Sequence, residues 1–119
     1  MPLVSLTRLA SVLERTKNVR RLVLRGCGIG AVPDGVWHLP LLRSLDLSGN
    51  RLDSLRVPDN GGLALEELVL SDNPQLRVFD AGKGALPILR TLDLRCDSRF
   101  QKKLFILSRS HVTLMCQLP

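Results

Sequence analysis

The chain has 119 residues, enough for one domain, and its only aromatic residues are three phenylalanines and one tryptophan. Its core must therefore be built mainly from leucine and valine. The net charge of +6 lies at the two ends: the first 30 residues hold six basic residues against one acidic, and the last 25 hold five against one. A general nucleic-acid-binding domain more often has one continuous basic face with aromatic residues for base stacking.

The cysteines and the first residues of the chain indicate a compartment. Cys27, Cys96 and Cys116 are odd in number and form no CxxC pair, which favours reduced thiols inside a cell. Arg8 and Glu14 interrupt the first apolar residues, so we read no signal peptide and no membrane span. We therefore expect a cytoplasmic protein, with the nucleus as the alternative, and no association with a membrane.

The first element is predicted to be a helix. Residues 5–15 place Leu6, Leu9 and Leu13 at helical spacing, with Val12 beside them. We expect an amphipathic helix within residues 1–18 that caps the structure following it.

A spacing that fits neither a helix nor a simple strand follows four times. Residues 42–52, LRSLDLSGNRL, are apolar at offsets 0, 3, 5 and 10 and have Asn50 at offset 8. Copies of this pattern start at residues 19, 42, 65 and 89, which are steps of 23, 23 and 24 residues. In the third copy the last leucine comes one residue late, at Leu76, and the fourth copy loses the pattern after Leu94. A nearly constant step indicates a repeat architecture over residues 19–96.

Each part of the pattern has a structural interpretation. In LxLxx, alternate residues of a short strand point inward, and the remaining apolar positions fill one layer of a flattened coil. The amide of Asn50 or Asn73 can bond backbone groups of the turn that are otherwise unpaired. Cys27 takes this position in the first copy, where we interpret it as a structural residue and not as a nucleophile.

The spacing resembles the leucine-rich repeat family, whose pattern is LxxLxLxxNxL. Residues 31–42, AVPDGVWHLPLL, are similar to the second half of a typical repeat, with Trp37 at its aromatic position. The later copies keep Leu55 and Phe79 but match less well. The resemblance implies an α/β fold, namely a short right-handed solenoid of about four repeats with a concave parallel β-sheet. The cysteine-rich caps of secreted members are absent.

The last segment, residues 97–119, has no repeat register. We expect an irregular cap or tail there, although residues 104–107, LFIL, could form one more strand. Such a strand could also pair with a second copy of the chain.

Two patterns that might indicate chemistry are weak. Gly26, Gly28 and Ala31 form a G-x-G-x-x-A after a predicted strand, but a dinucleotide site needs a helix there, and Pro33 opposes one. Asp46 and Asp93 share a strand position two repeats apart, without a histidine or cysteine partner in register. We therefore expect no cofactor, no metal site and no enzymatic activity.

The outward residues of successive strands should align in columns on the concave sheet. We predict that this face binds a protein partner, with an acidic segment at the arginines of the first repeat and a basic segment near Glu66 and Glu67. The alternative is that these charges merely pair across strands, Arg43 with Glu66 and Glu66 with Arg90. The candidate residues are Arg20, Arg21, Arg25, Arg43, Asp46, Glu66, Glu67, Asp72, Arg90, Asp93 and Arg95.

The function most consistent with the sequence is a non-enzymatic protein-interaction module, a scaffold or an adaptor. Two alternatives stay open: nucleic-acid association through the basic ends, and self-association of a fragment of a longer repeat protein. The sequence pattern does not indicate the oligomeric state.

Overall fold

The computed structural model describes residues 17–95 and the backbone of two further strands, at residues 105–107 and 113–115. The predicted capping helix at residues 5–15 lies outside the described residues, so the structure gives it no support. In chain order the elements are β1 (Arg21–Val23), α1 (Asp34–Trp37), β2 (Ser44–Asp46), β3 (Ser54–Val57), β4 (Glu67–Val69), β5 (Val78–Ala81), β6 (Thr91–Asp93), β7 (Phe105–Leu107) and β8 (Thr113–Met115).

The strands form two parallel sheets on opposite sides of a coil of about three turns. The front sheet has the order β1-β2-β4-β6-β8, and the back sheet has the order β3-β5-β7. Each front strand is in register with the next one, so that Leu45 lies between Leu22 and Leu68. The parallel solenoid predicted from the leucine spacing is confirmed.

The core lies between the sheets and consists of the apolar positions that define the repeat. The second coil buries its four leucines at offsets 0, 3, 5 and 10. The third coil buries leucines at offsets 0, 3 and 5 and Leu76 one residue late, at offset 11, and the fourth coil buries its first three. Val19 and Leu22 of the first coil are only partly buried. Trp37 and Phe79 add the two largest buried side chains. Aliphatic burial on this scale is the main favourable contribution to folding.

The α part of the predicted α/β class is small, because α1 is the only helix among the described residues and has four residues. The second and third coils cross the back of the molecule as strands β3 and β5, with Leu55 opposite Phe79. Residues 54–57 alternate between exposed and buried, which is the period of a strand. The equivalent part of the first coil contains Pro33, which has no N–H to donate to a sheet.

Two buried asparagines join successive coils. Asn50 Oδ1 accepts hydrogen bonds from the backbone N–H groups of Cys27 and Ile29, at 3.0 Å each. Its Nδ2 donates to the carbonyl oxygens of Leu24 and Leu47, at 2.9 and 2.8 Å. Asn73 repeats the arrangement one coil later, with Nδ2 3.0 Å from the carbonyl oxygen of Leu47. The predicted role of these amides is confirmed.

Cys27 makes only one of the hydrogen bonds that an asparagine makes at this repeat position. Its Sγ donates to the carbonyl oxygen of Arg25, two residues earlier, at 3.5 Å. Asn50 and Asn73 make the equivalent bond to the carbonyl oxygens of Ser48 and Ser71. The thiol cannot supply the other bonds of an amide, because it has one weak donor. This half-buried cysteine therefore has the structural position predicted for it.

Candidate functional site

The outward residues of the front sheet align in the predicted columns. The strand register places Arg21, Ser44, Glu67 and Thr91 in one row across four strands, and Val23, Asp46, Val69 and Asp93 in the next. Backbone hydrogen bonds from the N–H groups of Arg43, Glu66 and Arg90 to the preceding coil extend the stack to the column before them. One face of the solenoid thus collects side chains that are 23 or 24 residues apart in sequence.

These rows enclose an open groove with a volume of about 540 Å³. All of its walls come from the outward face of the front sheet and the turn that follows each strand. Seven of the eleven predicted binding residues line it, whereas Arg20, Arg43, Glu66 and Arg90 lie outside. The lining residues are Arg21, Arg25, Asp46, Ser48, Glu67, Val69, Ser71, Asp72, Thr91, Asp93 and Arg95.

Asp46 lies at the floor of the groove and holds two coils together. Its Oδ2 accepts a hydrogen bond from Arg25 Nη2 at 2.7 Å, across the boundary between the first and second coils. Its Oδ1 accepts the backbone N–H of Ser48 at 2.9 Å, and Arg25 Nε donates to Ser48 Oγ at 3.2 Å. The side chain of Asp46 is only 9% exposed, whereas that of Arg25 is 67% exposed.

Asp93 repeats this arrangement two coils later with an arginine from its own coil. Arg95 donates from Nη2 to Oδ2 at 2.7 Å and from Nε to Oδ1 at 2.9 Å, which is a two-pronged contact. The backbone N–H of Arg95 also donates to Oδ1, at 3.1 Å. The residue two positions after the aspartate differs between the two coils: it is Arg95 after Asp93 and Ser48 after Asp46. Asp46 therefore pairs with an arginine of the preceding coil, Arg25.

Both carboxyl groups are held in their charged form. Burial by itself raises the pKa of Asp46, but hydrogen bonds from Ser48 and the guanidinium of Arg25 outweigh it, and the pKa lies below its ordinary value. Burial also opposes ionisation of Asp93, and Arg95 again lowers the pKa overall. The pKa of Arg95 is raised by its hydrogen bonds to Asp93. The floor of the groove is therefore a set of neutralised ion pairs.

The predicted pairing of charges outside the groove also occurs. Glu66 lies between two arginines of neighbouring coils, 4.0 Å from Arg43 Nε and 3.9 Å from Arg90 Nε. All three side chains are substantially exposed, and such pairs contribute little to stability. Their charges nevertheless compensate one another locally.

The structure separates the candidate residues into engaged and unengaged charges. Arg20 and Arg21 are exposed and make no ion pair with any residue between 17 and 95. Glu67 is exposed, and the only polar contact of its side chain in that range is a 2.9 Å hydrogen bond donated by Ser44 Oγ. The other candidate pairs, Arg25 with Asp46 and Arg95 with Asp93, are already satisfied within the chain.

Asp72 has a backbone role that the sequence analysis missed. It has a φ of 56°, in the left-handed region, at the repeat position where the first two coils have Gly26 and Gly49. Aspartate tolerates this conformation better than most residues. The signal was in the alignment of the copies, where offset 7 is glycine, glycine and aspartate.

The glycine motif and His38 do not line the groove. Gly26 and Gly28 adopt positive φ in the turn after β1, and no helix begins before Asp34. His38 is exposed at the end of α1. Between residues 17 and 95 there is no group of three or more metal-ligating side chains.

The fold and the groove together define a solenoid repeat domain with one parallel sheet as its main outward face. A family model, Leucine Rich Repeat, matches residues 41–63, which contain the Asn50 motif. This match and the stacked parallel strands confirm the leucine-rich repeat that the spacing predicts. Domains built from this repeat commonly mediate protein–protein interaction.

No curated protein and no solved structure matches the chain significantly. Over the described residues, no helix has the length and apolar character needed to cross a bilayer.

Proposed function

We propose that this chain is a non-enzymatic protein-interaction module that binds a protein partner in the groove of the front sheet, as a scaffold or adaptor would. The observation that carries the proposal is the groove itself. It is lined by polar and charged side chains on a sheet whose backbone is already fully paired in its interior. Such a surface offers side chains for recognition and needs no rearrangement to do so.

The internal pairing of the floor supports binding in a specific way. Arg25, Asp46, Asp93 and Arg95 are held by short hydrogen bonds, so they lose little conformational freedom when a partner covers them. Arg20, Arg21 and Glu67 then remain as charges that a partner can satisfy. Arginine is enriched in the energetically dominant parts of protein interfaces.

Affinity capture tests the proposal. The full chain and an Arg20→Glu/Arg21→Glu variant are immobilised, and the proteins retained from cell lysate are identified by mass spectrometry. We expect at least one protein to be retained by the wild-type chain and lost with the variant. The variant should keep its circular dichroism spectrum, because both side chains are exposed and unpaired within residues 17–95.

The matched control reverses two exposed arginines elsewhere, as Arg56→Glu/Arg77→Glu, with the same change in net charge. Arg56 lies on β3 of the back sheet. Loss of the same protein with this control would attribute capture to net charge, and retention by all three chains would contradict the role assigned to Arg20 and Arg21 in binding. Recovery of nucleic acid alone would favour the second function considered, association through the basic ends.

A further inference from the structure

The unengaged charges of the groove have a defined order across the strands. Arg21 on β1 and Glu67 on β4 both lie in register with Ser44 on β2, so they are two strand spacings apart. Adjacent strands are about 4.8 Å apart, which places the two backbones about 10 Å apart. The row therefore carries a cation on β1 and, two strands further on, an anion on β4, neither of which forms an ion pair with any residue between 17 and 95.

The two other arginines that line the groove are already paired with carboxylates. The guanidinium of Arg25 is bound to Asp46 and Ser48, and that of Arg95 is bound to Asp93. Each of these two guanidinium groups already neutralises a buried carboxylate, whereas Arg21 and Glu67 form no ion pair with any residue between 17 and 95. Val69, two residues after Glu67 on β4, is half-buried in the next row and offers an apolar contact.

We propose that the groove takes an extended protein segment that lies across the strands, with an acidic side chain against Arg21 and a basic side chain against Glu67. This inference rests on the proposed function and specifies its ligand. An extended chain advances about 3.3 Å per residue, so the two charged residues of the ligand lie about two to four residues apart. The hydrogen bond from Ser44 Oγ positions the carboxylate of Glu67 for this contact.

A charge-swap experiment tests the inference. Random peptides are selected on the immobilised full chain, and the dissociation constant of the best peptide is measured for the wild type, Arg21→Glu, Glu67→Arg and the double reversal. We expect the selected peptides to combine an acidic and a basic residue at the stated spacing. Each single reversal should weaken binding about tenfold, which corresponds to about 1.4 kcal/mol.

The double reversal gives the sharpest result. It should bind a peptide in which the acidic and basic residues have been exchanged, at an affinity close to that of the original pair. Arg56→Glu, on the exposed face of β3, is the control for net charge and should leave binding unchanged. If the single reversals bind the selected peptide as well as the wild type does, the assignment of Arg21 and Glu67 is wrong.

A further variant separates this failure from failure of the proposed function. Val69→Arg places a bulky side chain in the groove. If it abolishes peptide binding while the charge reversals do not affect it, the groove binds protein segments but not through Arg21 and Glu67. If Val69→Arg also leaves binding unchanged, neither the inference nor the groove as the binding site stands.

Discussion

At the scale of single residues, the asparagines were the most predictable part of the structure. An amide is the only neutral side chain with two donors and an acceptor, so Asn50 at a fixed offset could be assigned to the backbone of the turn. The roles of Asp46 and Asp93 were harder to predict from the sequence. Their repeat position is occupied by valine in two of the four coils, and their guanidinium partners come from different coils.

Replacement of Asn73 by alanine should destabilise the chain by about 2–4 kcal/mol. Asn73 is fully buried, and its amide serves the carbonyl oxygens of Leu47 and Leu70 and the N–H of Leu52. These backbone groups would lose their partner in a place that water reaches poorly. Urea denaturation of Asn73→Ala, beside the exposed Asn18→Ala, measures the effect; equal losses for both variants would contradict the assigned role.

The buried aspartates should make stability depend on pH in acid. Because the folded-state pKa of Asp46 and of Asp93 lies below the ordinary value of 3.8, their contribution is complete well above that pH. It is lost as the pH falls below 3.8 and through the folded-state values. Urea midpoints measured from pH 6 downward should therefore decrease more steeply below about pH 4 for the wild type than for Asp46→Asn/Asp93→Asn. Parallel curves would show that these pairs do not influence acid stability.

At the scale of elements, the front strands were predicted and the back segments were not. Leucines at offsets 3 and 5 indicate an inward-facing strand in every coil, and the register confirms it. On the back, the apolar positions are fewer, and the family resemblance provided no distinction between a short helix and a strand. Pro33 at the start of α1 and the alternation in residues 54–57 are the local features that decide between them.

Gly82→Ala should destabilise the back sheet by about 1–3 kcal/mol. A Cβ at this position, just after β5, would lie 2.7 Å from the backbone nitrogen of Asp59 and 2.8 Å from the carbonyl oxygen of Val57. The preceding coil would have to move, because these are backbone atoms. Gly35→Ala is the control: a Cβ there meets no atom within 4 Å, and alanine favours the helix by about 0.5–1 kcal/mol. The midpoint temperature of thermal denaturation should be higher for Gly35→Ala than for the wild type, and lower for Gly82→Ala.

At the scale of the whole molecule, charge is distributed between stability and recognition. Seven of the candidate residues form ion pairs on the front face: Arg25 with Asp46, Arg43 and Arg90 with Glu66, and Arg95 with Asp93. The alternative interpretation of the sequence expected the pairing of Arg43 and Arg90 with Glu66. The alignment of outward residues in columns could be predicted from the sequence, because it follows from the repeat spacing. The pairing within the columns could not be predicted, since this depends on side-chain conformations in three dimensions.

The most direct test of the account is site-specific photo-crosslinking at the groove. A photoreactive phenylalanine analogue replaces Val69 on the front sheet or, as the matched position, Arg56 on the back sheet. After irradiation in cell lysate, we expect a discrete crosslinked protein from position 69 and none of that size from position 56. The same crosslinked protein from position 56, with none from position 69, would contradict binding in the front groove.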